Sequence, residues 1–238
     1  MKTKAWHRSV GAIVSLPLLA MGIYLDSFAL LYSVALYLIM TICVSAGYHR
    51  LFTHNSYTTH RLWHWVFGVI GCVALTSSPV QWSIVHLSHH RYSDTDQDPH
   101  ISNWRYFFKF KDRTNLLADR RSIRLMRDPM HLLFVNHSFS ISVVYALMLL
   151  LLGGMYSFLF FYAIPVSMLL LVSGLHTIYA HDSQGPLNRS YLEFIIPLAG
   201  EWMHKHHHTH SQITMSPEGL DLGGSFIELI RTDNNNDH

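Results

Sequence analysis

Four long apolar runs constrain the fold of this chain most strongly. Two very short connections, Asp26-Ser27 and Gly153-Gly154, join them in pairs. A helix needs about 17–25 largely apolar residues to cross a bilayer, and each run approaches or exceeds that length. The pattern predicts an all-α integral membrane protein with four transmembrane helices in two hairpins. The runs occupy residues 10–25, 28–48, 132–152 and 155–175.

Histidine is the second feature, since nine of the 19 histidines fall into four groups with metal-ligand spacing. Two groups repeat the pattern H-x-x-H-H, whose positions i, i+3 and i+4 lie on one helix face, so three imidazoles are expected to converge on one point. Neutral imidazole suits Zn, Cu, Fe or Ni, and nine imidazoles exceed what one ion can bind. The count therefore predicts two metal ions. The candidate ligands are His49, His54, His86, His89, His90, His176, His204, His207 and His208.

The cysteines limit which kinds of metal site the chain can form. The chain has two cysteines, Cys43 and Cys72, and both lie inside apolar runs. This excludes a thiolate zinc site and a disulfide scaffold.

A fifth apolar stretch, residues 62–80, lies between the first two histidine groups. If it crossed the membrane, it would place those groups on opposite sides. We therefore expect a buried or re-entrant helix beneath the metal site rather than a span.

Loop charge predicts the orientation of the chain. The N-terminus carries three Lys or Arg residues and residues 49–131 carry eleven, whereas the two short connections carry none. Under the positive-inside rule, both termini and the middle segment are cytoplasmic. The histidines then form a cytoplasmic helical cap over a multi-pass bundle. A cleaved signal peptide is not expected, because a second apolar run follows the first at once and no A-x-A-like site is evident.

The remaining segments support one domain over residues 1–231, followed by a polar tail at 232–238 that is expected to be disordered. Between residues 105 and 127, basic residues alternate with aromatic ones. This pattern fits an amphipathic helix on anionic lipid headgroups. A docking surface for an acidic electron carrier or a phosphate-bearing substrate is the alternative. A nucleic-acid partner is not indicated.

Some polar residues near the motifs are candidates to hold ligand imidazoles through their second ring nitrogen, as carboxylates usually do. They are Asp94, Asp98, His100 and Glu201. The alternative for the aspartates is that they only cap or turn a loop. Other histidines are expected not to be ligands, but to be solvated or to contact a ligand: His60, His64, His131, His137, His181, His206 and His210.

The histidine motifs resemble the histidine boxes of the integral-membrane fatty acid desaturase family. The strings are GYHRLFTH (47–54), SPVQWSIVHLSHHRYSDTDQDPH (78–100), SGLHT (173–177) and GEWMHKHHH (200–208), and the likeness covers roughly residues 10–230. The resemblance implies that the nine candidate histidines ligate a di-iron centre that activates O₂, and zinc can replace the iron on overexpression. It also implies a fatty acyl substrate and a ferredoxin- or cytochrome-type electron donor.

The implied reaction is insertion of a double bond into a long acyl chain. Ile84-Val85 stand where acyl-CoA enzymes tend to carry an Arg-Asp pair, so acyl-lipid and acyl-carrier-protein substrates stay open beside acyl-CoA. A related hydroxylase, acetylenase or oxidative decarboxylase is the alternative with the same metal site. A histidine-rich metal transporter is the alternative from another class. Transport would place the ligands at mid-membrane, whereas here they cluster past the span ends.

Overall fold

A computed structural model describes residues 6–100 and 118–232, and these residues are mostly helical with little strand. The α-helices are α1 (Trp6–Leu25), α2 (Ser27–Cys43), α3 (Arg61–Val73), α4 (Pro79–Tyr92), α5 (Arg120–Met126), α6 (Pro129–Phe158), α7 (Ile164–Tyr179), α8 (His204–Thr209) and α9 (Leu222–Ile230). Shorter elements are the π-helices Val44–His54 and Leu159–Ala163, the 3-10 helix Ser190–Phe194, and an antiparallel pair of strands, β1 (His181–Asp182) and β2 (Gly185–Pro186).

Among the described residues, two helical stretches are long and apolar enough to cross a membrane, 27–54 and 129–179. The second contains the predicted connection at Gly153-Gly154. Gly154 has φ 66° and ψ −163°, which interrupts the helix, and the rings of Tyr145 and Tyr162 lie 6.0 Å apart on either side of it. The chain therefore folds back on itself where the sequence predicted.

The other short connection lies at the same end of the bundle. Asp26 caps α2, because its Oδ1 accepts hydrogen bonds of 3.0 Å from the N–H groups of Phe28 and Ala29. Its Oδ2 accepts a 2.7 Å hydrogen bond from the hydroxyl of Tyr156, two residues past the second connection. Helix α1 packs on α7, where Gly11 is in such close contact that a Cβ would overlap Leu170.

The fifth apolar stretch does not form one buried helix, so that expectation is wrong in part. Helix α3 ends at Val73, has 13 residues and leaves Leu62 68% exposed. Leu75 and Ser77 then adopt left-handed backbone conformations, with φ 57° and 78°. A capping box of Ser78 and Gln81 starts the separate helix α4. Local turn chemistry thus divides a run that hydropathy alone presents as continuous.

Two predicted segments lie largely outside the described residues. Of the basic run, the structure describes only the end, where α5 exposes Arg120 and Arg124. Of the predicted tail, only Thr232 is described, and its N–H donates a 2.9 Å hydrogen bond to the carbonyl oxygen of Thr58.

Candidate metal centre

The π-helix Val44–His54 explains how His49 and His54 act together. An α-helix turns residues five apart by about 140° relative to each other, so the two side chains would diverge. A π-helix closes its hydrogen bonds between i and i+5, which returns such residues to one face. Their ring centroids lie 4.9 Å apart. The widened helix therefore converts an unusual spacing into a pair of neighbouring imidazoles.

Five imidazoles meet in a first group, through their Nε2 atoms. The Nε2 atom of His86 lies 3.0 Å from that of His54 and 3.0 Å from that of His90. The Nε2 atom of His207 lies 2.9 Å from that of His49 and 2.8 Å from that of His90. These five side chains come from the π-helix, α4 and α8, and all are buried or half-buried.

A second group of four imidazoles lies beside the first. It consists of His89, His181, His204 and His208, each offering one ring nitrogen within 4.8 Å of the others. The Nε2 atom of His204 lies 2.9 Å from that of His181 and 3.0 Å from that of His208. The structure thus brings together eight of the nine predicted ligands, and His181 with them.

The two H-x-x-H-H motifs do not each converge on one point, contrary to the sequence expectation. Helix α4 contributes His86 and His90 to the first group but His89 to the second. Helix α8 does the reverse, with His204 and His208 in the second group and His207 in the first. Residues i+3 and i+4 lie about 100° apart around a helix axis, so a helix between two sites serves both.

Carboxylates contact the Nδ1 atoms of three imidazoles, on the side of the ring away from the facing Nε2 atoms. Asp98 accepts a hydrogen bond of 2.9 Å from Nδ1 of His89, and Asp94 accepts one of 3.0 Å from Nδ1 of His181. Oε2 of Glu201 lies 2.7 Å from Nδ1 of His49. His100 donates its backbone N–H to Asp98. Asp98 and Glu201 therefore contact predicted ligands, Asp94 contacts His181, and the ring of His100 lies 4.7 Å from that of His89.

On His49, His89 and His181 these contacts leave the lone pair on Nε2, and nitrogens as close as those of the two groups repel one another unless a proton or a cation lies between them. A metal–nitrogen bond of about 2.0–2.1 Å separates neighbouring ligand nitrogens by about 3.0–3.4 Å, close to the observed distances. Burial, with neighbouring imidazoles, lowers the pKa of His90 to about 3 and that of His208 to about 2. These two rings are therefore neutral near pH 7, as metal ligands must be. The donor set fits two transition-metal ions.

His176 is the predicted ligand that belongs to neither group. Its Nε2 lies 2.9 Å from the backbone oxygen of Glu201. His181, which we expected to be solvated or to contact a ligand, is 6% exposed and belongs to the second group. The one sequence feature that pointed to His181 as a ligand was its position just after the fourth apolar run.

The other histidines that were not expected to be ligands also stay outside both groups. His206 and His210 stack on each other, with ring centroids 4.6 Å apart. The ring of His64 lies 5.6 Å from that of Phe52.

Two further residues that the sequence analysis missed hold the loop before α8. The buried guanidinium of Arg50 donates hydrogen bonds to Asp221 and to the backbone oxygen of Ala199. The buried carboxyl group of Glu193 accepts hydrogen bonds from three backbone N–H groups, at Leu198, Gly200 and Trp202. Burial raises the pKa of Glu193 to about 7. These bonds fix the loop that carries Glu201 toward His49.

A cavity of about 140 Å³ lies between the histidine groups and the apolar helices. Its polar wall includes His49 and His86 of the first group and His89 and His204 of the second. Val44, Trp82, Val85, Leu169, Leu170 and Leu198 form its apolar wall, and Ser and Thr side chains, His100, His176, His181 and Glu201 also line it. An apolar chain in this cavity would lie directly against both histidine groups.

No protein family model matches the chain, but curated relatives do. The sn-1 stearoyl-lipid 9-desaturase of Anabaena variabilis is 29% identical over 117 residues, which are 47% of this chain and 43% of that protein. Stearoyl-CoA desaturase of Sus scrofa is 39% identical over 82 residues, 34% of this chain and 23% of that protein. Acyl-CoA desaturase 1 of Saccharomyces cerevisiae is 39% identical over 70 residues, 29% and 14% respectively.

The matched segments span less than half the length of each of these relatives. Their names agree on one class of protein. The resemblance to the fatty acid desaturases that the histidine motifs predicted is confirmed.

Proposed function

We propose that this chain is an oxygen-dependent fatty acyl desaturase that holds a di-iron centre. Eight histidines common to the sequence prediction and to the two groups hold the ions, and a ninth completes the second site. One observation carries the proposal: the two groups of imidazoles border the same cavity, whose other wall includes aliphatic side chains. The eight are His49, His54, His86, His89, His90, His204, His207 and His208.

The chemistry requires a metal because no side chain can break an unactivated alkyl C–H bond. A bound di-iron centre supplies the oxidant for that step. The acyl chain loses one hydrogen from each of two neighbouring carbons, and these two hydrogens, with two external electrons and two protons, reduce O₂ to two waters. The protein itself binds the chain, orients it and excludes water.

The walls of the cavity support an acyl substrate. Leu169 and Leu170 of α7 are buried and present aliphatic surface, which favours a methylene chain over a polar ligand. The relatives act, by name, on stearoyl-lipid or acyl-CoA substrates. The head group of the present substrate stays open among acyl-lipid, acyl carrier protein and acyl-CoA. A ferredoxin- or cytochrome-type protein is the proposed electron donor.

The function is tested by its product. Expression in a host lacking its own desaturase, with a matching electron donor, should yield a new monounsaturated acyl chain under aerobic growth alone. Gas chromatography with mass spectrometry of the total lipids makes the measurement. Hydroxylated, acetylenic or chain-shortened alkene products would show that the chain catalyses one of the related reactions instead of desaturation. These outcomes share one carbon radical, which either loses a second hydrogen or combines with oxygen.

We propose four spans, α1, α2, α6 and α7, with both termini and the metal centre on the cytoplasmic side. Support comes from Asp26 and Tyr156, whose hydrogen bond holds both short connections at one end of the bundle. The basic residues lie in the segments that the positive-inside rule assigns to the cytoplasm.

This topology predicts which positions an impermeant thiol reagent reaches on intact cells. A cysteine replacing Ser27 should be labelled, while one replacing Ser93, beside the metal centre, should be labelled only after lysis. Cys43 and Cys72 are buried and give a low background. Labelling of Ser93→Cys on intact cells without labelling of Ser27→Cys would invert the proposed orientation.

A further inference from the structure

We propose that His181, and not His176, completes the second metal site, and that Asp94 holds His181 in place. This inference rests on the proposed di-iron function. It departs from the ligand set that the sequence resemblance implied, in which the histidine at the end of the fourth apolar run was a ligand.

The first argument is the position of the two rings relative to the second group. The Nε2 atom of His181 lies 2.9 Å from that of His204, and all four nitrogens of the group lie within 4.8 Å of one another. His176 is close to the same histidine, since the ring centroids of His176 and His204 are 4.8 Å apart. Its ring nitrogens nevertheless do not join the group. Proximity alone therefore does not make it a ligand.

The second argument is the hydrogen bond that His176 already makes. Its Nε2 lies 2.9 Å from the backbone oxygen of Glu201. A carbonyl oxygen can only accept, so Nε2 carries the proton and the lone pair of His176 lies on Nδ1. Neither ring nitrogen is among the atoms that gather in the two groups. The bond instead anchors the residue whose carboxylate contacts His49. His176 is accordingly a positioning residue.

The third argument is local folding, which places His181 over α8. Helix α7 ends at Tyr179, and the β1–β2 hairpin turns the chain back at once. The segment after the hairpin is bound to the start of α8, because the N–H of Lys205 donates to the backbone oxygen of Leu187 and that of His206 to the side-chain oxygen of Asn188. These two hydrogen bonds hold the segment that follows His181 against the helix that begins at His204.

The fourth argument is the carboxylate of Asp94. Its Oδ2 accepts a 3.0 Å hydrogen bond from Nδ1 of His181, which leaves the Nε2 lone pair facing the group. Asp94 has φ 62°, a left-handed conformation in which Asp and Asn are enriched. Its N–H donates to Asp98, which in turn accepts from His89. One turn of chain therefore orients two ligands of the same site.

The decisive experiment counts iron in the purified full-length protein after anaerobic loading with Fe(II). We expect about two ions per chain in the wild type and in His176→Gln, whose side-chain amide can still donate to the backbone oxygen of Glu201, but about one in His181→Ala. Two ions in His181→Ala, or one in His176→Gln, would overturn the inference and leave the proposed function intact. A wild type that holds fewer than two ions would instead defeat the di-iron proposal itself.

Asp94→Asn provides a second test that does not remove a ligand. Asparagine also tolerates the left-handed backbone, so the variant should fold and keep both ions. Loss of a carboxylate that orients a ligand typically weakens metal binding by about 10–100-fold. One of the two ions should therefore be removed by a chelator at a correspondingly lower concentration, while Asp96→Asn, an exposed neighbour, should match the wild type. An unchanged chelator titration for Asp94→Asn would contradict the role of Asp94.

Discussion

Replacing His207 by alanine should abolish product formation and remove one ion. Its Nε2 lies 2.8–3.4 Å from those of His49, His86 and His90, so its loss opens the first group at its centre. Removing a carboxylate that only orients a ligand costs about 10–100-fold, and we expect the loss of a ligand to exceed that range. The measurement is product yield and iron content of the same preparation.

The matched control is the adjacent residue on the same helix. His206 stacks on His210 and belongs to neither group. His206→Ala should therefore keep both ions and most of the activity. If His207→Ala retained wild-type activity with both ions, the first group would not be a metal site.

Replacing Glu201 by glutamine should lower metal affinity at the first site by about 10–100-fold. Burial acts to raise the pKa of Glu201, but His49 and Arg50 outweigh it and hold the pKa at about 2. The carboxylate is therefore ionised at neutral pH and aligns the imidazole of His49. Glutamine keeps the shape and removes the charge. Competition with a chelator, measured by iron retained per chain, detects the change.

Glu228→Gln is the control for that variant. Glu228, on α9, forms an ion pair with Arg231, the residue after that helix, and neither belongs to a histidine group. Loss of one such surface pair has a small effect on stability and none on the metal. Iron retention in Glu201→Gln equal to that in Glu228→Gln would show that the charge of Glu201 does not support the site.

The helical bundle was largely predictable because apolar runs and short connections are local signals. The chain reverses at Gly154 as expected, since glycine adopts its φ of 66° without a steric penalty. The break between α3 and α4 was not predicted. It depends on Leu75 and Ser77 taking left-handed conformations, which neither residue type favours, and hydropathy does not report backbone geometry.

The sequence predicted which histidines form the candidate site better than it predicted how they divide between the two groups. Spacing identified eight of the nine histidines in the two groups, because the motifs are local. It did not show that each H-x-x-H-H motif divides between the groups, since that division depends on which helices lie on either side of α4 and α8. His181 enters its group through the β1–β2 hairpin, a long-range placement that no spacing rule contains.

The most direct test of two histidine-held ions is the metal content of active protein. Elemental analysis and Mössbauer spectroscopy of ⁵⁷Fe-loaded enzyme should give about two irons per chain, in two distinguishable environments, because five imidazoles surround one site and four the other. Samples should be selected for desaturation activity before analysis, so that zinc acquired on overexpression does not enter the count. A single iron, or none, in fully active protein would contradict the account.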